Sequence, residues 1–151
     1  MTVIFADTSA VIKRYITEIG SNQVSTWIEP EAGNVIIVSE LATVEVFSAL
    51  ARHQREGTIR AEAAWLLQGD FLHHVEAEYL VVMVDSALLH QSRDLINKHP
   101  VRTLDAIQLA CALQARAVLG EPFTFASADR RLLEVADAEG FTAVNPETPA
   151  S

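Results

Sequence analysis

Val3-Ile4-Phe5-Ala6-Asp7-Thr8-Ser9-Ala10-Val11 decides how this chain folds. Four apolar residues bounded by polar ones suit a short strand covered on both faces. Thr8 or Ser9 is then placed to cap a helix over Ser9–Ile16, whose apolar side carries Val11, Ile12, Tyr15 and Ile16. Asp7 stands where the carboxyl end of a strand meets a helix start, the edge of an open α/β sheet at which ligands bind. Alone, its carboxylate has two readings: a helix-terminal acid satisfying loose N–H groups, or a metal ligand. The remainder of the chain separates them.

Working outward, four further apolar runs read as strands: Val35 to Val38, Tyr79 to Val84, Phe123 to Ala126 and Thr142 to Val144. They are rich in valine, isoleucine and aromatics and mostly lack strict alternation, as strands covered on both faces do. Helical patterns fill the intervals at Asn22–Glu29, Leu41–Glu56, Arg60–Ala77, Ser86–Asn97, Leu104–Val118 and Ala128–Glu139. Alternating strands and helices predict an α/β fold with a parallel sheet. The crossover from the second to the third strand holds two helices, joined near Gly57-Thr58. Gly20, Gly57, Gly120 and Gly140 fall at helix ends, and the tail from Asn145 to Ser151 reads as frayed or extended.

A chain of 151 residues, half of them apolar, fits one domain with a sizeable core. No run approaches roughly 18 uninterrupted apolar residues, and no basic region precedes an apolar leader, so neither a membrane span nor secretion is expected. The single cysteine, Cys111, lies between Leu109 and Leu113 in a helical pattern and reads as a small buried hydrophobe. A reducing cytoplasm fits. The formal net charge of −9 argues against broad nucleic-acid binding by phosphate neutralisation. It leaves a metal-dependent nuclease open, because acids gathered around divalent ions count toward that charge.

Three more acids share the setting of Asp7. Asp129 follows the strand Phe123–Ala126, with Ser127 as the expected cap and Asp129 in the first helical turn. Asp105 falls in the first turn of a helix that Thr103 would cap. Each alone serves as a dipole-favouring acid. Glu45 lies inside the Leu41–Glu56 helix, on one stripe with Ser48, Arg52 and Arg55 at about 100° per residue. The rest of that helix is largely apolar, so it is expected to be buried. A carboxylate there needs a cationic partner such as Arg52, a solvated stripe, or a metal. Together the four acids point to the sheet edge and to hard cations, Mg²⁺ or Mn²⁺, which prefer oxygen ligands and keep several waters. The hydroxyls of Thr8, Ser9 and Ser127 would bind water or steady the carboxylates.

Four segments carry a resemblance: Asp7-Thr8-Ser9-Ala10-Val11-Ile12-Lys13-Arg14-Tyr15, Ser39-Glu40-Leu41-Ala42-Thr43-Val44-Glu45, Leu104-Asp105-Ala106-Ile107-Gln108-Leu109-Ala110 and Phe125-Ala126-Ser127-Ala128-Asp129-Arg130-Arg131-Leu132-Leu133. In this order and spacing the chain resembles the PIN-domain ribonucleases, specifically the VapC toxins of bacterial toxin–antitoxin pairs. The resemblance implies a three-layer α/β/α fold over residues 1–145 with strand order 3-2-1-4-5, and a short tail over residues 146–151. It implies a Mg²⁺- or Mn²⁺-dependent endoribonuclease, a homodimer, and a VapB-type antitoxin whose tail enters the acidic cleft. The acidic positions of the family map to Asp7, Glu45, Asp105 and Asp129. Glu40, five residues before Glu45, reads instead as a dipole acid after Ser39.

The chemistry expected of such a site is metal-assisted hydrolysis of RNA phosphodiesters, with Asp7, Asp105 and Asp129 holding the principal ion and Glu45 completing the site. Lys13, Arg14, Arg52 and Arg55 are candidate RNA contacts, each also readable as surface charge. Arg102, Arg130 and Arg131 flank the acids and can pair with them. Adjacent His73 and His74 lack the spacing of a helical zinc pair. Trp27 and Trp65 are expected to pack. Three other readings compete. In a receiver-type signalling domain Asp85 would accept phosphate, which leaves Glu45, Asp105 and Asp129 unexplained. An aspartyl phosphatase needs a second acid two residues after Asp7, where Ser9 stands. The third is a non-catalytic PIN-fold binding module.

Overall fold

A computed structural model describes residues 1–148. Five parallel strands form one sheet: β1 (Val3–Ala6), β2 (Val35–Ser39), β3 (Tyr79–Val82), β4 (Phe123–Ala126) and β5 (Thr142–Val144). Their order is β3-β2-β1-β4-β5, as expected from the resemblance. Seven helices connect them: α1 (Thr8–Val11), α2 (Ser21–Ile28), α3 (Ala42–Arg55), α4 (Ala61–Ala77), α5 (Ser86–Lys98), α6 (Thr103–Leu119) and α7 (Arg130–Ala138).

Successive side chains of a strand point to opposite faces, and here both faces are covered. Ile4 and Ala6 of β1 with Ile36 and Val38 of β2 join Val24, Val46, Leu50 and Phe71 in one core. Phe5 and Ile37 join Phe123, Phe125, Leu88, Leu109 and Leu132 in the other. Phe5 stacks on Phe125 with ring centroids 5.4 Å apart. This two-sided burial is why the strands read as continuous apolar runs.

The chain steps from β1 to β2 and β3 on one side, then returns to β4 and β5 on the other. Register places Ala6 level with Ala126, so Asp7 and Ser127 leave the sheet side by side. The Asp7 N–H donates to the Ala126 carbonyl at 3.0 Å, and the Ser127 N–H to that of Val144 at 3.0 Å.

Several local expectations are corrected. The first helix begins at Thr8, stops at Val11 and continues as a 3-10 turn over Ile12–Arg14, with Asp7 rather than Thr8 or Ser9 as its cap. Asp129, not Ser127, caps α7, and Arg102 rather than Thr103 occupies the cap position of α6. α3 buries only the stripe Ala42, Val46 and Leu50, leaving Val44 exposed. α3 starts at Ala42, so Glu45 lies in its first turn. β3 ends at Val82, and Glu40 accepts the Val84 N–H at 2.9 Å from outside the helix. Trp27 packs against the core, whereas Trp65 is 72% exposed. The tail is docked as far as it is described: Pro146 is buried and Glu147 pairs with Lys13 at 2.7 Å. Residues 149–151 lie outside the described residues. Among those described, no helix is long and apolar enough to cross a membrane.

Candidate active site

The four acids reach one pocket from four elements. Asp7 ends β1, Glu45 sits in the first turn of α3, Asp105 in the first turn of α6, and Asp129 caps α7. All four line a cavity of about 580 Å³, shared with Thr8, Ser9, Ser48, Arg52 and Leu104. It opens at the carboxyl edge of the sheet, where β1 and β4 part company in chain direction, the place where α/β sheets bind ligands.

Asp7 is the most constrained. Its Oδ1 accepts the Thr8 N–H at 2.8 Å, and its Oδ2 accepts the hydroxyls of Ser9 and Ser127, each at 2.8 Å. Each hydroxyl has one hydrogen and spends it on Asp7, so its oxygen is free to accept. Ser9 Oγ takes the Ala128 N–H at 2.9 Å, and Ser127 Oγ takes the Asp129 N–H at 3.0 Å. The two serines thus clamp the end of β1 to the turn after β4. The Asp129 Oδ1 accepts from the N–H groups of Arg131 and Leu132. The serine oxygens thus accept N–H groups of the turn after β4, while Asp7 accepts the N–H at the start of α1 and Asp129 the two at the start of α7.

Glu45 is bound on one oxygen. Its Oε1 accepts the Thr8 hydroxyl at 2.7 Å and the amide of Gln108 at 2.8 Å. Among the described residues neither Arg52 nor any other cation pairs with it. Among the described residues the one cation within 4.0 Å of Asp105 is Arg102, at 4.0 Å and largely exposed.

Burial pushes the Asp7 carboxyl up to about 6; the charges of Glu45 and Asp105 add to the rise, against the hydrogen bonds from Ser127 and Ser9. Asp105 is also raised, by burial first and then by Asp129 and Glu45, against Arg102. Carboxylates that lift one another in this way form a site that gains by taking up positive charge. The donor set is oxygen only. Among the described residues no three acids converge tightly enough to close around a bare ion. The arrangement therefore fits a hard divalent cation that retains much of its water, as Mg²⁺ does.

Residues 4–138 match the PIN domain. The chain belongs to the PIN-domain family. Ribonuclease VapC47 of Mycobacterium tuberculosis is 30% identical over 147 residues, which are 95% of this chain and 97% of that protein. Among solved structures, Mycobacterium tuberculosis VapC20, described as a sarcin-ricin loop cleaving toxin, aligns with a TM-score of 0.63 at 18% identity, covering 91% of this chain and 95% of that one. FitAcB from Neisseria gonorrhoeae aligns with a TM-score of 0.62 at 16% identity, covering 95% and 97%.

Within this PIN domain the basic candidates divide. Arg52 lines the acidic pocket; Arg55, one turn further along α3, is exposed and does not. Lys13 and Arg14, the other two candidates, are each held by carboxylates within the fold. Lys13 is 3% exposed and bonds Glu18 at 2.8 Å and Glu147 at 2.7 Å. Arg14 is held by Tyr79 at 2.8 Å, Glu29 at 3.0 Å and Glu78 at 3.1 Å. Arg131 lines a small cavity of about 140 Å³ beside Asp105 and Asp129. Asp85 caps α5 through the Leu88 N–H at 2.9 Å and lines none of the pockets holding the acids, so nothing prepares it as a phosphate acceptor. Gln108 is the site residue that the sequence reading missed. Its signal was present: one amide in the apolar run Ala106-Ile107-Gln108-Leu109-Ala110-Cys111-Ala112.

Proposed function

We propose that this PIN domain is the toxin of a toxin–antitoxin pair: a Mg²⁺- or Mn²⁺-dependent endoribonuclease that hydrolyses RNA phosphodiester bonds and is restrained by a cognate antitoxin. The observation that carries the reading is that Asp7, Glu45, Asp105 and Asp129 line one pocket and that, among the described residues, no cation is bound tightly to any of them. The relationship to ribonuclease VapC47 over nearly the whole of both chains supports it.

Asp7, Asp105 and Asp129 would hold the principal ion, directly or through water. When bound, it supplies an acidified water and charge stabilisation for the phosphoryl transition state. Glu45, whose Oε1 is bonded to Thr8 and Gln108 and which lines the same cavity, would complete the site through its other oxygen, orienting a water and accepting its proton. Arg52, on the wall of the pocket, is placed to bind a backbone phosphate. No histidine or serine nucleophile is needed; Ser9 and Ser127 have both hydroxyl hydrogens committed to Asp7.

A homodimer is part of the proposal, as is an antitoxin whose tail offers basic groups to a cleft that carries four acids and one arginine. The test is cleavage of a structured RNA pool by antitoxin-free protein with Mg²⁺ or Mn²⁺. Cleavage abolished by EDTA and by Asp7→Asn is the expected result. Cleavage that survives both refutes the assignment.

A further inference from the structure

Gln108 is 1% exposed, in a part of α6 that is buried all round, its neighbours Ala106, Ile107, Leu109, Ala110 and Cys111 being apolar and buried. Its Oε1 is buried without a hydrogen-bond partner. Burying an amide with half its bonding capacity unmet costs stability that a leucine or methionine at the same place would not. The other half of the amide is fully used. Nε2 has two hydrogens: one goes to Glu45 Oε1 at 2.8 Å, the other to Thr8 Oγ1 at 3.2 Å. Thr8 in turn donates its hydroxyl hydrogen to Glu45 Oε1 at 2.7 Å.

The result is a closed triangle whose corners come from three helices, α1 directly after Asp7, α3 bearing Glu45 and α6 bearing Asp105. Thr8 follows Asp7, and its N–H bonds that carboxylate. Glu45 belongs to α3. Gln108 lies one turn beyond Asp105 on α6. The bonding directions are fixed by chemistry: Glu45 Oε1 meets only donors, so the amide presents nitrogen and not oxygen. Rotating the amide would set two acceptors face to face.

We propose that Gln108 is the positioning residue for Glu45. It pins one carboxylate oxygen to α6, leaves Oε2 for the cavity, and fixes the spacing between Glu45 and Asp105. The proposal rests on the metal-nuclease reading and deepens it. Gln108 does not touch the substrate; it acts through Glu45 on the metal site. Partners of this kind change metal affinity by about 10–100-fold when removed.

The test is Mn²⁺ titration of the purified full chain by calorimetry, beside thermal unfolding in EDTA. Gln108→Met keeps the volume and removes the donors. The expected result is an unfolding temperature equal to or above wild type, with Mn²⁺ bound about 10-fold more weakly. In the Glu45→Ala background the same substitution should add nothing, because its route of action is gone. Gln108→Leu gives the same reading should the methionine variant fail to fold. Wild-type affinity in a folded Gln108→Met protein overturns the proposal and leaves the nuclease reading intact. So does an equal loss with and without Glu45. A wild-type chain that binds no Mn²⁺ overturns both.

Discussion

Asp7→Asn should make the metal-free protein more stable at neutral pH and less stable in acid. Burial lifts the Asp7 carboxyl from 3.8 to about 6. Between about pH 4 and 6 the unfolded chain has released this proton while the folded chain keeps it. The native state then binds more protons, so stability falls as pH rises, and the fall is complete above the folded value. At about 1.4 kcal/mol per tenfold in proton affinity, the ionised carboxylate costs the metal-free fold about 3 kcal/mol at pH 7.5. Asparagine removes that cost. Its oxygen can still accept the Ser9 and Ser127 hydroxyls, but its amide nitrogen then faces the Thr8 N–H, which loses its acceptor at a cost of about 1 kcal/mol. The net gain is about 2 kcal/mol, or about 4–8 °C for a domain of this size. Below about pH 4 only the lost bond remains, and the variant should be the less stable by about 1 kcal/mol. The assay is urea or thermal unfolding of both proteins in EDTA from pH 4 to 7.5. Comparison with wild type cancels the titrating groups that do not interact with Asp7; Glu45 and Asp105, which do, contribute to the difference. Profiles that run parallel, with no crossing, would refute the reasoning. Saturating Mn²⁺ should then raise the unfolding temperature of wild type and leave the variant nearly unmoved.

Other perturbations separate binding roles from structural ones. Arg52→Gln should weaken RNA binding similarly for unrelated sequences and lower the salt slope of the affinity by about 1, read by anisotropy across a salt series. Lys13→Gln should leave RNA affinity unchanged and cost about 1–3 kcal/mol in urea unfolding, since it strips a buried cation from Glu18 and Glu147; a fall in affinity as large as that of Arg52→Gln would restore Lys13 as a contact. Tyr79→Phe should cost about 1–3 kcal/mol, because the Tyr79 hydroxyl accepts from Arg14 at 2.8 Å and shares a 2.7 Å bond with Tyr15, which itself meets His74 Nδ1 at 2.7 Å. Burial and the Arg14 charge hold His74 below its usual value, so its contribution to stability declines as pH falls below about 6.5, and His74→Gln should lose that limb of the profile.

The strands, and Asp7 and Asp129 that follow two of them, were legible because both signals are local; Glu45 and Asp105, set in helices, were singled out by the company of the other acids and by the resemblance. A strand covered on two faces must be apolar throughout, and an acid at the end of such a run declares itself. The roles of Lys13 and Arg14 were not legible. Their partners, Glu18, Glu29, Glu78 and Glu147, come from the turn before α2, the loop after it, the end of α4 and the tail. Pairing across such separations leaves no mark near the residue that is paired. The helix caps were misplaced for a related reason. A serine before a helix looks free to cap, but Ser127 reaches across 120 positions to Asp7. Gln108 was legible in principle, since a lone amide inside an apolar helix asks for a buried partner, and that partner was already named as Glu45.

The choice of partners around the acids is itself an argument about function. Asp7 is held by one N–H and two hydroxyls, Glu45 by one hydroxyl and one amide, Asp129 by two N–H groups. All are neutral. A protein selected only for stability would set arginines or lysines against four acids, and this chain has them nearby in Arg52, Arg102, Arg130 and Arg131; only Arg102 comes within 4.0 Å of one, from an exposed position. Neutral donors orient a carboxylate without cancelling its charge, whereas a bound guanidinium would compete with any incoming cation. Asp7 and Asp105 are raised by burial first and by the neighbouring carboxylates after it, and among the described residues no bound guanidinium offsets the rise at Asp7. On the proposed metal-nuclease reading a divalent ion would relieve it on binding, and the repulsion among the acids would add to its affinity. Arg52→Lys should therefore be tolerated in metal binding, while a cation placed inside the triangle, as in Thr8→Lys, should abolish Mn²⁺ binding even in a protein that still folds. Full Mn²⁺ affinity in that variant would show that the charge of the pocket is not what holds the ion.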